Sequence, residues 1–351
     1  ASMLQELGAE TLVFDDELSG AQIRNIEEIT GAKVLDRTML ILDIFAQRAR
    51  SKEGKLQVEL AQLKYRLPRL TGMGGRLSRL GGGIGTRGPG ERKLETDRRH
   101  IRRRITTLEK ELRNIAKRRK LTRENRQRNE IPVVALVGYT NSGKTTLMNV
   151  LCNTDLFAED KLFATLDTTT RRLLLPDGKQ VLLVDTVGFI RKLPHELVEA
   201  FKSTLEEAVT ADLLLHVVDT SDEEAAEHMK VTIDLLHSLG AESKPVITVL
   251  NKIDKISSPD VIRSLHNNKY TFEISALNGT GIEKLLSGIQ SIFDTEYKEY
   301  RLKIPFGEGW VLPFIHSNGS VIYQEYQEEG IYIKAKLNKA MIEKVREYII
   351  L

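Results

Sequence analysis

The chain is 351 residues long, 41% hydrophobic and 29% charged, with 52 Lys and Arg against 49 Asp and Glu. That length and composition predict two or three ordinary globular domains. It carries no apolar run of bilayer length, no signal-peptide pattern and a single cysteine, Cys152. These exclude a membrane span, a disulfide framework and a cysteine-rich zinc site, and make the cytoplasm the expected compartment.

Ala1-Ser2-Met3 reads as a remnant ahead of an internal start. Residues 1–37 form a partial α/β unit. Thr11–Phe14 and Lys33–Asp36 are strand candidates flanking a helix that Ser19 caps and Gly31 ends. Two strands make a poor independent sheet, so they are expected to belong to something larger.

Residues 38–130 read as a basic helical hairpin. One helix is expected over 38–67, with Leu56, Leu60, Leu63 and Leu67 on one stripe and Pro68 stopping it. A second is expected over 91–128, where Ile101, Ile105, Leu108, Leu112 and Ile115 are spaced 4, 3, 4 and 3. Each offers one narrow apolar stripe, so the two should pack antiparallel on each other, the second extending roughly 50 Å. The tip loop 71–90 holds nine glycines among its 20 residues, interleaved with Arg76, Arg79 and Arg87. Glycine permits close backbone approach to another surface and arginine suits phosphate, so the loop reads as a nucleic-acid contact that orders on binding rather than a linker. Between Lys64 and Arg128, 22 basic residues face 6 acidic ones, a local +16 that leaves −13 on the remainder although the whole chain is only +3. That asymmetry favours a polyanionic partner, RNA or DNA, with Arg98, Arg99, Arg102 and Arg103 as further contacts.

From 131 to 296 near-continuous apolar runs alternate with helical stretches: Val133–Val137, Val181–Val184, Leu213–Val218 and Val246–Leu250. Strands buried on both faces look like this, so an α/β domain with a mostly parallel sheet is expected. Residues 297–351 read as a small α+β domain ending in a helix near Lys339 to Tyr348.

Three motifs in this third region carry chemistry. Gly138-Tyr139-Thr140-Asn141-Ser142-Gly143-Lys144-Thr145, with Thr146 following, satisfies G-x-x-x-x-G-K-[ST] between a strand and a helix. Its backbone N–H groups would surround the phosphates of a nucleotide, Lys144 would reach the β and γ phosphates, and the Thr145 hydroxyl would sit on Mg²⁺. Asp185-Thr186-Val187-Gly188 follows a buried strand, placing an acid toward the metal and a glycine N–H toward the γ-phosphate. Asn251-Lys252-Ile253-Asp254 selects the base: Asp254 can accept from guanine N1–H and its exocyclic amine, a pattern adenine lacks. Ser275-Ala276-Leu277 would approach the guanine oxygen through backbone N–H. In the loop Phe163-Ala164-Thr165-Leu166-Asp167, Thr165 is the preferred second Mg²⁺ ligand, with Thr168, Thr169 and Thr170 as competitors. Together these predict a P-loop GTPase in which Lys144, Thr165, Asp185 and Gly188 carry hydrolysis.

Phe189 stands where many GTPases have a water-orienting glutamine, so slow intrinsic hydrolysis is expected. Asn141 is a candidate to help hold K⁺ beside the phosphates, which would add positive charge in the transition state. The histidines, His100, His195 and His216 among them, show no metal-ligand spacing and read as structural or surface residues.

The Gly88-Pro-Gly-Glu91 turn, Glu95-Thr-Asp97-Arg-Arg-His100-Ile-Arg-Arg-Arg104, Gly138-Tyr-Thr-Asn141 and Phe163-Ala-Thr-Leu-Asp-Thr-Thr-Thr170 resemble the HflX family of ribosome-associated GTPases. The resemblance implies a GTPase that docks on the large ribosomal subunit and its RNA and splits stalled or idle ribosomes with the hairpin loop near the peptidyl-transferase centre; a monomer that binds GTP and GDP is expected. It also favours Thr165 as the metal ligand. Family members carry more sheet ahead of this sequence's start, so a shortened or divergent N-terminus is expected. Two further readings stay open: an RNA-remodelling NTPase that also uses ATP, or a large-subunit maturation factor, and a nucleotide-gated RNA-binding scaffold with negligible turnover.

Overall fold

The computed structural model describes residues 2–70, 89–128, 131–154, 168–191, 206–256, 259–266, 270–295, 298–337 and 339–350. After a short helix α1 (Ser2–Leu7), β1 (Thr11–Phe14) and β2 (Lys33–Asp36) pair in parallel through α2 (Gly20–Thr30). Ser19 caps α2 in a capping box: its hydroxyl accepts from Gln22 N–H while the Gln22 side chain accepts from Ser19 N–H. Gly31, at φ 71°, closes the helix in the left-handed region.

The stretch expected as one helix over 38–67 is two, α3 (Arg37–Arg48) and α4 (Lys52–Arg69). Ser51 makes the break, because its side chain accepts from Gly54 N–H and starts a new helix with its own cap. Pro68 does not stop α4; it sits in the last turn, and the helix ends one residue beyond it. The next helix, α5 (Pro89–Arg128), runs 40 residues. Leu56 and Leu60 of α4 pack with Leu108 of α5, with Leu63, Ile105, Leu112 and Ile115 around them. Glu53–Arg119 and Lys64–Glu109 ion pairs fix the antiparallel register.

Asp36 organises the N-terminal region. It is fully buried at the end of β2 and caps α3 by accepting from Met39 N–H at 2.8 Å. It also accepts from Leu18 N–H at 3.1 Å and from the Tyr65 hydroxyl of α4, with Arg69 at 3.7 Å. Burial and the bond to Asp36 push the Tyr65 phenol well above its ordinary range. Asp36→Ala would strand two buried donors and remove a cap, so a loss of about 3 kcal/mol is expected for this region, read by denaturant unfolding followed on its helical signal. A loss under about 1 kcal/mol would mean water replaces the carboxylate.

The central sheet has six strands in the order β4 (Thr169–Leu174), β5 (Gln180–Asp185), β3 (Val133–Val137), β6 (Leu213–Asp219), β7 (Val246–Asn251) and β8 (Thr271–Glu273). All pairs are parallel except β4–β5. The β4 edge was not expected from the sequence: Arg171 and Arg172 break the apolar pattern, and only Leu173 turns its side chain into the core. Along β3, Val134 and Leu136 face one layer with α6 (Lys144–Cys152). Ala135 and Val137 face the other, where Leu236 of α7 (Ala225–Ser238) packs. Cys152 packs half-buried against the first layer, and burial pushes its thiol up. Helices α8 (Pro259–Leu265) and α9 (Ile282–Thr295) flank the last strands.

A separate four-stranded antiparallel sheet follows, ordered β10 (Ser320–Gln327), β11 (Gly330–Leu337), β9 (Lys298–Ile304) and β12 (Ile349–Ile350). Helices α10 (Val311–Asn318) and α11 (Lys339–Val345) close its core through Val311, Ile315, Met341 and Val345. No helix among the described residues is long and apolar enough to cross a membrane.

Candidate nucleotide site

Central strand β3 has β5 on one side and β6 on the other, so the chain leaving it enters the crevice where strand order reverses. Gly138–Gly143 occupy that crevice and α6 starts at Lys144, aiming its N-terminal N–H groups at the same point. Gly143 adopts φ 92°, and a Cβ there would lie 2.3 Å from Asn251 Nδ2. Only glycine serves both the conformation and the contact.

Lys144 is 6% exposed, and its ammonium donates to Gly138 O at 3.1 Å and Tyr139 O at 2.7 Å. Burial pushes its pKa down to about 8, against the pull of Asp185. Thr140 Oγ1 and Ser142 Oγ are buried without a partner among the described residues. A buried cation beside two unanswered hydroxyls and a helix N-terminus is an anion cradle. Thr145 Oγ1 donates to Asp185 Oδ2 at 2.7 Å, so hydroxyl and carboxylate already stand together, as a shared Mg²⁺ would require.

The Asp185–Gly188 segment is wholly buried. Thr186 Oγ1 donates to Leu136 O at 2.6 Å, fixing it to β3. A Cβ on Gly188 would meet Thr140 Cα at 2.8 Å and Lys144 Nζ at 3.1 Å, so the absence of a side chain lets this backbone close on the phosphate loop. Thr140 N–H donates to Phe189 O at 2.7 Å and Phe189 N–H to Gly138 O at 3.0 Å. The Phe189 ring is 2% exposed in the core with Ala135, Val137 and Leu214, where it serves packing.

Asn251 ties three loops into one frame. Its Nδ2 donates to Ser142 O at 2.9 Å, its Oδ1 accepts from Ala276 N–H at 3.0 Å, and its carbonyl accepts from Thr220 Oγ1 at 2.7 Å. Lys252, at φ 65°, pairs with Asp219 at 2.5 Å, and the turn Ile253–Lys255 leaves Asp254 exposed. Buried Ser275 accepts from Asn278 N–H at 3.2 Å, and Leu277 is exposed. His216, on β6, is buried and its pKa falls to about 4 through burial and then Lys144, so it is neutral at working pH.

Phe163, Ala164, Thr165, Leu166, Asp167, Arg76, Arg79 and Arg87 lie outside the described residues. Of the competitors to Thr165, Thr169 and Thr170 belong to β4, paired with Asp185 and Val184. Thr168 lies 3.5 Å from an Arg119 nitrogen of α5. Arg99, Arg102 and Arg103 are exposed on α5 and Arg98 is half-buried.

The structure also brings together groups the motifs did not reveal. Val187 and Ile190 pack into the α3–α4 core with Ile41, Phe45, Val58 and Tyr65. Arg37 donates to Arg191 O at 2.9 Å. No periodic signal in a four-residue motif could announce such a long-range contact.

Residues 1–46, 48–126 and 133–252 match family models described as GTP-binding GTPase N-terminal, GTP-binding GTPase Middle Region and 50S ribosome-binding GTPase. GTPase HflX of Caldanaerobacter subterraneus subsp. tengcongensis is 53% identical over 342 residues, covering 97% of this chain and 79% of that protein. GTPase HflX of Lacrimispora saccharolytica is 51% identical over 331 residues, covering 94% and 78%. A solved structure of SsGBP in complex with GDP superposes with a TM-score of 0.50 at 33% identity, covering 83% of this chain and 84% of that one.

Proposed function

The chain belongs to the HflX family of GTPases, and from that premise we propose that its nucleotide state governs docking of the basic hairpin on the large ribosomal subunit, promoting dissociation of stalled or idle ribosomes. It is a P-loop GTPase that converts GTP to GDP and phosphate. The match of residues 133–252 to a family described as 50S ribosome-binding supports the ribosome as partner, and the +16 balance over 64–128 supports ribosomal RNA as the contact.

The observation that carries this reading is the double contact between nucleotide-sensing segments and helical region. Val187 and Ile190 are in the α3–α4 core, while an Arg119 nitrogen of α5 lies 3.5 Å from Thr168, three positions after Thr165 in the sequence. A change in either segment on gaining or losing the third phosphate would bear on α3, α4 and α5, the last carrying Arg98, Arg99, Arg102 and Arg103.

In the site, Lys144, Thr145, Asp185 and Gly188 are assigned to the phosphates and metal, with Thr165 as a further metal ligand. Residues 138–146, 163–167 and 185–188 are assigned to line the nucleotide, and 251–254 and 275–277 to surround the base. Mg²⁺ would supply positive charge across the β and γ phosphates, and Thr145 with Asp185 fit it. K⁺ near Asn141 is proposed as a second source of charge.

The test compares GTP turnover with and without purified large ribosomal subunits at matched K⁺ and Mg²⁺. Strong stimulation is expected, followed by subunit separation on sedimentation. Unchanged turnover despite tight GTP binding would remove the ribosome as activator.

A further inference from the structure

We propose that His228 is a positioning residue for GTP hydrolysis, acting through Tyr139 on the backbone that follows Gly188. The imidazole, on α7, stacks on the Tyr139 ring with centroids 3.6 Å apart and planes 10° from parallel. Tyr139 is the second residue of the phosphate loop. Its carbonyl accepts from Lys144 Nζ at 2.7 Å, and its backbone bridges to Phe189. Its hydroxyl reaches the other way and accepts from Arg191 N–H at 3.1 Å. One side chain thus links the loop that holds phosphate to the third residue after Gly188, and His228 holds that side chain flat.

His228 is itself braced. Its side chain is 12% exposed, with Nδ1 3.5 Å from Asp222 and Nε2 3.7 Å from Glu224. Arg191 adds ion pairs to Glu227 at 3.1 Å and Glu224 at 3.9 Å, from the same end of α7. Those pairs are exposed and contribute little. The stack and the Tyr139 hydroxyl add a side-chain anchor at Arg191 N–H to the backbone bonds of Phe189 with Thr140 and Gly138 and the Arg37 contact to Arg191 O, and so help set where the Gly188 N–H stands relative to Lys144. Nothing in the phosphate, magnesium or guanine motifs demands an aromatic at 139 or a histidine at 228.

Two consequences separate positioning from helix packing. GDP lacks the third phosphate and is held by elements that Asn251 and Asp185 fix independently, so its affinity should survive loss of the stack. Hydrolysis needs the segment after Gly188 in register and should not. An aromatic pair of this geometry corresponds to a change of about three- to tenfold. The experiment measures single-turnover GTP hydrolysis and GDP affinity on the full chain for His228→Ala, His228→Phe, Tyr139→Phe and the His228→Ala/Tyr139→Phe pair.

His228→Ala is expected to slow hydrolysis about three- to tenfold while GDP affinity stays within about twofold. His228→Phe, which keeps a flat ring, should restore most of the rate. Tyr139→Phe keeps the stack but removes the acceptor for Arg191 N–H, so it should slow hydrolysis similarly, and adding His228→Ala to it should cost little more. Thermal unfolding checks that each variant is folded, and His228→Phe carries the test if the alanine variant is not. An unchanged rate in His228→Ala, a phenylalanine that fails to rescue it, equal loss of GDP affinity, or additive losses in the pair would each overturn the proposal.

Discussion

Lys144→Ala is expected to lower kcat/KM for GTP by about 10²–10³-fold while leaving the protein folded, the scale for removing one preorganised electrostatic contact from a water-excluded site. In the free protein the ammonium is buried against two loop carbonyls, a poor substitute for water. Burial lowers its pKa to about 8, below the unfolded value, so the folded protein holds this proton more weakly than the unfolded chain. Stability therefore rises as pH climbs from about 8 toward the unfolded value, and at neutral pH the charged lysine is a cost. Lys144→Ala should consequently be at least as stable as the parent near pH 7, which separates lost chemistry from lost fold. The same shift predicts nucleotide linkage. A phosphate restores the charged form, so GDP affinity of the parent should weaken above about pH 8, where the free lysine loses its proton, and the alanine variant should be flat until guanine N1–H itself ionises above about pH 9. Nucleotide titration by calorimetry across about pH 7 to 9 reads both, and a parent curve without that weakening would place the ammonium away from the phosphates.

Much of this site is legible in the sequence because each motif residue answers a local demand. Gly143 must take a positive φ beside Asn251, Lys144 must be a cation at a helix start, and Gly188 must lack a Cβ where backbone meets the phosphate loop. The buried parallel strands are legible for a similar reason, since both faces of β3 and β6 must be apolar. What escapes is decided by partners far along the chain. The break at Ser51 falls in a stretch, Ala46 to Lys55, that has no large apolar residue to mark a period, and the cap it forms with Gly54 shows it. Strand β4 is concealed by Arg171 and Arg172, because an edge strand needs only one buried side chain to be held. Val187 sits in the Asp185–Gly188 motif yet packs its side chain in the α3–α4 core, and the Tyr139–His228 stack joins residues 89 positions apart. Local pattern locates the chemistry; the coupling of that chemistry to the rest of the molecule lies in tertiary contacts.

Asp254→Asn is expected to reduce GTP and GDP affinity by about 10²–10³-fold and to shift base preference toward xanthine. The argument starts from rigidity. Asn251 holds the end of β7 to both Ser142 and Ala276, so the distance from phosphate loop to base loop is set before any nucleotide arrives. The turn over Ile253–Lys255 then presents the Asp254 carboxylate to solvent, with two acceptor oxygens and no donor. Guanine offers two donors on one edge, N1–H and the exocyclic amine, and both oxygens are used. An asparagine keeps one acceptor and turns an N–H₂ toward the guanine amine, donor against donor, in a frame too fixed to rotate away. A mismatch of that kind leaves polar groups unpaired, which is how such sites reject near-isosteres strongly. Xanthine carries a carbonyl in place of the amine, so the same asparagine fits it, and XTP should compete with GTP in the variant where it does not in the parent. ATP should gain nothing, because adenine has neither the N1–H nor the carbonyl. Competition of the three nucleotides against a labelled GDP gives the answer directly. If the variant keeps its GTP affinity, the base is read elsewhere, and an NTPase that also uses ATP becomes the better account; if XTP gains while GTP falls, guanine selection resides in Asp254.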